Sequence, residues 1–390
     1  MTIDLDKIIA SDSAQIPLYA KREIALVRGE GNYLYDSTGK RYLDAMSNYG
    51  VASLGHAHPA FTAALVDQLG KLTSTHQSFY NDARSMFLDE IARIAPEGVG
   101  RSFLSNSGTE AIEAGFKFAR TATGRKGIVA AKKGYHGRTL GALAATADKK
   151  YRAPFEEILG QGVEHVAFND LEALEAAVSN ETAAIVLEPV QGEGGIYPAD
   201  VEYLQRARDL ADTYGAILFF DEVQSSFRTG APFFSAANGV VPDILVTAKA
   251  IANGLPVGVT LVTDAIVDSV PGGAHGSTFG GNPLIARGGA ETLRIMREDD
   301  LYGNAANVGS YVLSEIEKLE SSRIRAIRGT GLMFGIELKM KAGPVLKALQ
   351  DRGILALMAG TLVLRFLPPM TWTTAQADEL VAALADVLNG

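Results

Sequence analysis

The sequence predicts an α/β fold with a mostly parallel central sheet, helices on both faces, and a smaller α+β domain. Three apolar runs, at 183–187, 216–220 and 243–248, have the length and composition of buried strands. A helical pattern over 201–214 connects the first two runs, and Gly215 is placed to end that helix. Strands that are joined through a helix favour a parallel sheet with a right-handed crossover.

The remaining segments indicate a second, smaller unit. Residues 24–46 alternate apolar and polar side chains around the turn sequence DSTGK, which predicts an antiparallel meander. A helix is predicted near 308–319, a hairpin in IRAIRGTGLMFGIELK, and another helix at 343–352. We expect three parts: an N-terminal segment (1–44) joining the small domain, a large domain (45–285), and a C-terminal small domain (286–390).

The composition argues against several classes of protein. A net charge of −9 and a pI of about 5.3 do not suit nucleic-acid binding, because phosphate binding relies on basic patches. The absence of cysteine excludes disulfides, thiol catalysis and cysteine-based metal sites. His56 and His58 stand two apart without further clustered ligands, so we expect a loop there and no metal. Without a signal peptide or a membrane-spanning stretch, we expect a cytoplasmic protein that does not bind membranes.

Three ionisable residues stand where predicted strands end. Glu188, Asp221 and Lys249 each follow an apolar run, and parallel sheets bind ligands outside the carboxyl ends of their strands. Taken singly, a lysine here could point to solvent and an acid could cap a helix. Pyridoxal phosphate needs both groups, a lysine for its aldehyde and a carboxylate for its pyridine nitrogen. The pair therefore predicts a pyridoxal-phosphate site.

Two loops offer the remaining contacts that such a cofactor needs. LSNSGTEAIEAGFKFAR places Gly108 and Thr109 at a helix N-terminus, where free N–H groups favour a phosphate. In KKGYHGRTLGA, Tyr135 could stack on the pyridine ring and Arg138 could hold a carboxylate. The alternatives are a plain N-cap and an ordinary surface turn.

The motifs together resemble the class III pyridoxal-phosphate aminotransferases of fold type I. Within that family the sequence is most similar to the acetylornithine, ornithine and lysine-biosynthetic branch. The resemblance covers about residues 16–370 and keeps the family order. The matching stretches are LGHAHP, NSGTEA, YHGRT, LEPVQGEGG, FFDEVQ, PDILVTAKAIANGLPVG, HGSTFGGNPL, IRGTGLMFGIELK and LRFLPP.

The resemblance implies a role for each matching residue around the cofactor. Lys249 holds the aldehyde and then shuttles the proton, and Asp221 pairs with the pyridinium nitrogen. The implied binding set is completed by Ser107, Gly108 and Thr109 at the phosphate, Tyr135 stacked on the ring, Val223 against the ring, Gln224 near the phenolic oxygen, and Thr278 reaching the phosphate of the neighbouring subunit's cofactor.

The resemblance also implies a substrate pocket and an assembly. Glu193 and Arg365 form a pair that opens to admit a second carboxylate, while Arg138 binds a substrate carboxylate. Further pocket residues are Ser277, Tyr19 and Tyr49. A homodimer or tetramer with active sites shared between chains is expected.

One segment departs from the family pattern. The usual Asp-Glu-Val-Gln-Thr-Gly-x-Gly-Arg-Thr-Gly is represented by DEVQSSFRTG, which is one residue shorter and lacks two glycines. Asp221 and Gln224 are intact, so the cofactor assignment stands. We expect the loop beyond Gln224 to be shaped differently.

The expected activity moves a terminal (ω) amino group from N-acetylornithine or carrier-linked lysine to 2-oxoglutarate by a ping-pong mechanism. YRAPF (151–155) and GILALMAGTLVLRFLPP resemble the lysine-biosynthetic branch, whose donor is attached to a small acidic carrier protein. The basic run ADKKYR (147–152) is either a solvated face or a contact for an acidic partner. Ornithine and other ω-amines remain alternatives, as do an aminomutase or decarboxylase, a nucleotide-binding α/β protein, and a non-catalytic relative.

Overall fold

The computed structural model describes residues 5–389. Its strands are β1 Leu26–Glu30, β2 Tyr33–Asp36, β3 Arg41–Asp44, β4 Arg101–Ser105, β5 Gly127–Ala131, β6 Val163–Val166, β7 Thr182–Leu187, β8 Val190–Gln191, β9 Tyr197–Pro198, β10 Ile217–Asp221, β11 Ile244–Thr247, β12 Gly258–Val262, β13 Ile324–Thr330, β14 Met333–Leu338, β15 Ile354–Leu355, β16 Leu357–Ala359 and β17 Val363–Phe366.

The helices are α1 Leu5–Asp12, α2 Ser47–Gly50, α3 Pro59–Leu69, α4 Asp82–Ile94, α5 Gly108–Thr123, α6 Leu140–Ala145, α7 Lys149–Arg152, α8 Leu171–Ala177, α9 Val201–Tyr214, α10 Phe234–Ala237, α11 Asp264–Ser269, α12 Pro283–Glu298, α13 Leu301–Glu317, α14 Ala342–Asp351 and α15 Thr374–Asn389. Two 3-10 turns cover Ala153–Ile158 and Lys249–Ala252.

A seven-stranded sheet in the order β4-β12-β11-β10-β7-β5-β6 forms the centre of the molecule. The pairs β11–β10, β10–β7, β7–β5 and β5–β6 are parallel, whereas β12 is antiparallel to both of its neighbours. This confirms the predicted mostly parallel sheet. The carboxyl ends of β7, β10 and β11 consequently lie side by side at one edge.

Helices cover both faces of this sheet because its strands are buried on both sides. Successive residues of β10 alternate between two cores: Phe219 belongs to the core under α5, whereas Leu218 and Phe220 belong to the core under α9. A Cβ atom on Gly115 would lie 2.4 Å from the Phe219 ring, which is too close for two carbon atoms. Glycine at this position therefore allows α5 to pack closely against β10. As predicted, α9 ends at Gly215, which adopts a left-handed φ of 60°.

The N- and C-terminal parts of the chain form smaller sheets. The predicted meander at 24–46 and the hairpin of β13 and β14 are both present and antiparallel. Strand β15 pairs in parallel with β3, which joins the N-terminal meander to the C-terminal part. Within residues 5–389, no helix has both the length and the apolar character that crossing a membrane requires.

The helix predicted near 308–319 begins earlier than the sequence pattern indicated. It starts at Leu301, and the Asp300 carboxylate caps it by accepting the Gly303 N–H. Gly303 and Asn304 are weak helix formers that obscure the first turns of the pattern. The prediction was therefore wrong at the N-terminal end of this helix.

Candidate active site

The carboxyl ends of β10 and β11 and the N-terminus of α5 enclose a cavity of about 420 Å³. The structure brings most of the predicted cofactor and catalytic residues, and the predicted substrate residue Arg138, to its wall. Those lining the cavity are Ser107, Gly108, Thr109, Tyr135, Arg138, Asp221, Val223, Gln224 and Lys249.

Lys249 is separated from the end of β11 by Ala248 alone, and its backbone has a φ of +40°, a left-handed conformation that is rare for residues other than glycine. Such conformations concentrate at functional sites. The side chain lines the cavity, and burial lowers the pKa of its amine, although the nearby charge of Glu193 acts in the opposite direction. A lowered pKa increases the neutral fraction of the amine, which is the nucleophilic and proton-accepting form.

Asp221 ends β10, with both oxygens held by hydrogen bonds. Its Oδ2 lies 2.8 Å from Nδ1 of His136, and its Oδ1 accepts the N–H of Val223 at 3.0 Å. Burial disfavours the charged form of His136, but the hydrogen bond to Asp221 and the charges of Asp221 and Glu188 raise its pKa overall. His136 lies inside the YHG motif but was not among the residues predicted for the site.

Glu188, the third strand-end residue, is buried beneath two loops of the site. Its carboxylate accepts the N–H of Tyr135 at 2.8 Å and the N–H of Gly192 at 3.2 Å. Burial raises its pKa to about 7, against the effect of the neighbouring His136. A single side chain thereby fixes the loop carrying Tyr135 and the loop carrying Glu193.

The N-terminus of α5 forms part of the cavity wall. The Ser107 hydroxyl caps the helix by accepting the N–H of Glu110. The N–H groups of Gly108 and Thr109 belong to the first turn, whose donors have no partner inside a helix. Thr109 Oγ1 is 2.7 Å from the Thr139 hydroxyl, which ties the helix start to the loop after Arg138.

Arg365 and Glu193, which the resemblance paired, are in contact. Arg365 Nη1 donates to Glu193 Oε1 at 2.5 Å and to Gln224 Oε1 at 3.2 Å. The Arg365 side chain is fully buried, whereas that of Glu193 is 28% exposed. Because Gln224 lines the cavity, the pair stands directly behind its wall.

The other predicted substrate residues lie around the cavity rather than in its wall. Tyr49 belongs to a left-handed turn at α2 and places its ring 5.4 Å from the Arg365 guanidinium. The Ser277 hydroxyl accepts a hydrogen bond from the Asn106 side chain at 3.0 Å, and Asn106 lines the cavity. Tyr19 is exposed in the single chain, and so is Thr278, which was predicted to contact the cofactor of the neighbouring subunit.

The shortened loop after Gln224 is buried. Phe227 adopts a φ of 71° where the family has a glycine-rich turn, and its ring packs against Phe233. Arg228 donates to the carbonyls of Gly50 at 2.8 Å and Pro368 at 3.1 Å. The loop therefore anchors the turn that carries Tyr49.

These residues fit pyridoxal phosphate. A buried carboxylate held by His136, a lysine of lowered pKa and an open helix N-terminus face one cavity, matching the cofactor's pyridine nitrogen, aldehyde and phosphate. A Cβ atom on Gly108 would lie only 3.0 Å from Val223 Cγ1, so the start of α5 sits tightly beside the residue expected to face the ring. The set defines a fold type I pyridoxal-phosphate enzyme.

Comparisons with known proteins define the family. The profile of the Aminotransferase class-III family matches residues 18–388. The [LysW]-aminoadipate semialdehyde transaminase of Deinococcus radiodurans is 45% identical over 375 residues, covering 95% of this chain and 87% of that protein. The acetylornithine aminotransferase of Methanosarcina acetivorans is 36% identical, covering 97% and 95%. A solved structure of the ornithine aminotransferase from Toxoplasma gondii, with PLP partially occupying its active site, superposes with a TM-score of 0.94 at 28% identity, covering 99% and 94%.

The chain belongs to the class III aminotransferases, and its cofactor is pyridoxal phosphate. The predicted family, fold and enzyme class are confirmed.

Proposed function

We propose that this aminotransferase moves the ω-amino group of LysW-linked lysine to 2-oxoglutarate, giving the linked semialdehyde and glutamate. The Deinococcus radiodurans relative is named for [LysW]-aminoadipate semialdehyde, and lysine is the amine that corresponds to that aldehyde. The buried Arg365 paired with Glu193 behind the cavity is the observation that carries the transferase assignment, because a transferase must accept two different substrates in turn. N-acetylornithine is the second candidate donor, since the Methanosarcina relative is named an acetylornithine aminotransferase.

We assign the catalytic roles to two side chains. Pyridoxal phosphate, when bound, supplies an aldehyde for the amine and a protonated ring that withdraws electrons from the reacting carbon. Lys249 would hold the cofactor and, with its lowered pKa, take up and return the proton of that carbon. Asp221, oriented by His136, would keep the proton on the ring nitrogen.

The residues around the cofactor would bind and orient it. Gly108 and Thr109 would bind the phosphate through the start of α5, with Ser107 capping the helix. Tyr135 would cover one face of the ring and Val223 the other. Gln224 would lie near the phenolic oxygen.

The two substrates differ in where their carboxylates lie. Arg138 would bind a carboxylate remote from the reacting amine. Glutamate carries another carboxylate beside its reacting amine, for which Arg365 is the candidate partner once Glu193 has moved. Tyr19, Tyr49 and Ser277 would complete the pocket.

We further propose a homodimer, with a tetramer formed from two such dimers as the alternative. The support is the exposure of the large side chains Phe79, Tyr80 and Phe279, the last of which neighbours Thr278. Thr278 would reach the phosphate site of the partner subunit. Mixing Lys249→Ala and Thr278→Ala chains should then give hybrids with one doubly altered site and one unaltered site, and an active monomer would contradict the arrangement.

The domain division at residues 44 and 285 and a cytoplasmic location stay predictions. The second boundary falls inside α12, so the two proposed domains would be joined by a continuous helix.

The donor assignment is tested by comparing LysW-linked lysine, N-acetylornithine and ornithine side by side, each with 2-oxoglutarate. We expect the largest kcat/KM for LysW-linked lysine. A preference for N-acetylornithine or ornithine by tenfold or more, about 1.4 kcal/mol in transition-state free energy, would contradict the assignment.

A further inference from the structure

A turn of four residues at the active-site cavity has a left-handed backbone throughout. Ser47, Asn48 and Tyr49 adopt φ values of 39°, 52° and 62°, and Gly50 follows at 86°. Residues other than glycine normally enter this region singly, because their Cβ atoms crowd the backbone there. A run of three such residues persists only where the surrounding structure imposes it, and conformations of this kind concentrate at functional sites.

Both ends of this turn are anchored to other parts of the chain. The Ser47 hydroxyl donates to the Leu367 carbonyl at 2.6 Å, and Arg228 donates to the Gly50 carbonyl at 2.8 Å. Asn48 lies between the two anchors and lines the active-site cavity. The backbone therefore fixes Asn48 at the cavity before any substrate binds, so that little ordering is needed when a ligand contacts it.

Asn48 differs from most polar residues of the cavity wall because its side-chain amide has no partner. Within residues 5–389, every other polar side chain that lines the cavity, except that of Lys249, forms a hydrogen bond to another protein group. The amide of Asn106, for example, donates to the Ser277 hydroxyl at 3.0 Å. The carbonyl oxygen and the two N–H groups of the Asn48 side chain are thus available to a ligand.

The proposed donors share a chemical group that such an amide can bind. In carrier-linked lysine and in N-acetylornithine the ω-amine must remain free to react, and the carboxylate is the group assigned to Arg138. The acyl attachment is therefore on the α-nitrogen, which becomes a secondary amide with one N–H donor and one C=O acceptor. An asparagine side chain is complementary to both groups.

A donor with a free α-amino group cannot make the same pair of hydrogen bonds. Its α-ammonium group offers donors but no acceptor, so the N–H groups of Asn48 would have no partner in the complex. Its positive charge would also lose water without gaining an opposite charge from the neutral amide. Sites that pair with a polar group of the substrate reject analogues that lack it.

We propose that Asn48 is a specificity-determining residue that binds the acylated α-nitrogen of the donor. Its Oδ1 accepts the donor's amide N–H, and its Nδ2 donates to the acyl oxygen. The inference rests on the proposed Nα-acylated donors and names the residue that distinguishes them from free diamino acids.

Two substitutions of Asn48 test this role, with a matched change elsewhere. Glycine and aspartate both tolerate a left-handed backbone, so Asn48→Gly and Asn48→Asp should keep the turn while the amide is removed or replaced by a carboxylate. Asn180→Gly makes the same change as the first in an exposed turn between α8 and β7, outside the cavity. Holoenzyme half-reactions are measured with N-acetylornithine against ornithine, with Nα-acetyllysine against lysine, and with glutamate.

Asn48→Gly should lower kcat/KM for both acylated donors by about 10-fold or more, because two hydrogen bonds are lost. The loss should lie mainly in KM, since these contacts are remote from the reacting carbon and are alike in the ground and transition states. Ornithine, lysine and glutamate should change by less than about twofold. Asn48→Asp should lower the ratio of acylated to free donor further, because a carboxylate attracts the α-ammonium group and repels the acyl oxygen. Asn180→Gly should match the parent with every donor.

Three results overturn the proposal in different ways. If the parent prefers acylated donors and Asn48→Gly keeps that preference, another residue binds the amide and the donor class stands. If Asn48→Gly slows all donors equally, glutamate included, position 48 serves only the structure of the site. If the parent does not prefer acylated donors, the proposed donor class fails and this inference fails with it.

Discussion

Nδ1 of His136 lies 2.8 Å from Oδ2 of Asp221, and both side chains are buried. The contact, together with the Val223 N–H on the other oxygen, leaves the carboxylate a single orientation toward the cavity. The position of the negative charge is therefore determined before the cofactor binds. Preorganised charge of this kind stabilises a transition state without reorganisation during the reaction.

Replacing Asp221 with Asn removes that charge at nearly constant size. We expect the half-reaction to slow by about 100-fold or more, because a preorganised charge commonly contributes a few kcal/mol. The cofactor should still bind through its phosphate. Stopped-flow measurement of the half-reaction checks this, and a rate equal to that of the parent would contradict the pairing.

His136→Asn tests orientation separately from charge. The substitution keeps Asp221 but replaces its hydrogen-bond partner with a shorter side chain. We therefore expect the half-reaction rate to fall by only about 10-fold, together with a shift in its pH profile. A loss without any change in the pH profile would indicate a purely structural role for His136.

Lys249→Ala removes the amine at the end of β11. Turnover should fall by about 1,000-fold or more, since we propose that both covalent binding of the cofactor and proton transfer depend on this group. Adding methylamine should restore part of the rate, because a small amine can replace the missing base. Lys150→Ala, the same change on an exposed lysine that does not line the active-site cavity, should leave turnover near that of the parent.

The residues at the strand ends could be predicted because strands and helices each produce a short, recognisable pattern of apolar and polar residues. Asp221 and Lys249 follow apolar runs, and parallel strands necessarily bring such residues to one edge. Gly108 and Thr109 were predictable for the same reason, as the start of α5 has its own short pattern. The family resemblance then supplied the pairing of Glu193 with Arg365, which no local pattern indicates.

The contacts that could not be predicted join distant parts of the chain. His136 and Asp221 are 85 residues apart, and Arg228 and Gly50 are 178 apart. Contacts between residues so far apart in the sequence produce no periodic pattern that could predict them. The same holds for Glu188, whose strand-end position was evident but whose hydrogen bonds to Tyr135 and Gly192 depend on how two loops pack.

Glu188 should make the apoprotein less stable as pH rises from about 4.5 to about 7. Its pKa is about 7 in the fold against 4.5 as the reference value, so in this range the native state binds more protons than the unfolded chain, and stability falls. The raised pKa of His136 acts in the same direction. Glu188→Gln cannot ionise and keeps one of the two hydrogen-bond acceptors that hold Tyr135 and Gly192. The total change in the free energy of unfolding across this pH range should therefore be smaller by ~1–3 kcal/mol in this variant.

Urea unfolding of the parent and of Glu188→Gln at a series of pH values measures the effect. Glu164→Gln, a change at an exposed residue of β6, is the control and should keep the slope of the parent. Parallel slopes for the parent and Glu188→Gln would show that the raised pKa does not contribute to stability.

Glu193 lies between two anchored points of its loop. The Gly192 N–H is held by Glu188, and the Gly195 carbonyl accepts hydrogen bonds from Arg328 at 3.2 and 3.3 Å. The carboxylate can therefore leave Arg365 by rotation of its side chain, without displacement of the loop.

Glu193→Ala should leave Arg365 permanently available to the carboxylate next to glutamate's reacting amine. The ratio of half-reaction kcat/KM values should then shift toward glutamate and away from the ω-amine donor by about 10- to 160-fold, because one charge-assisted contact is worth roughly 1.5–3 kcal/mol. Glu193→Gln should shift the ratio in the same direction, since it removes the charge but keeps the size. A shift in Glu193→Ala but not in Glu193→Gln would mean that the size of the Glu193 side chain, and not its charge, controls access to Arg365. A ratio that does not move toward glutamate in either variant would rule out the gating pair, even if the Lys249 and Asp221 predictions hold.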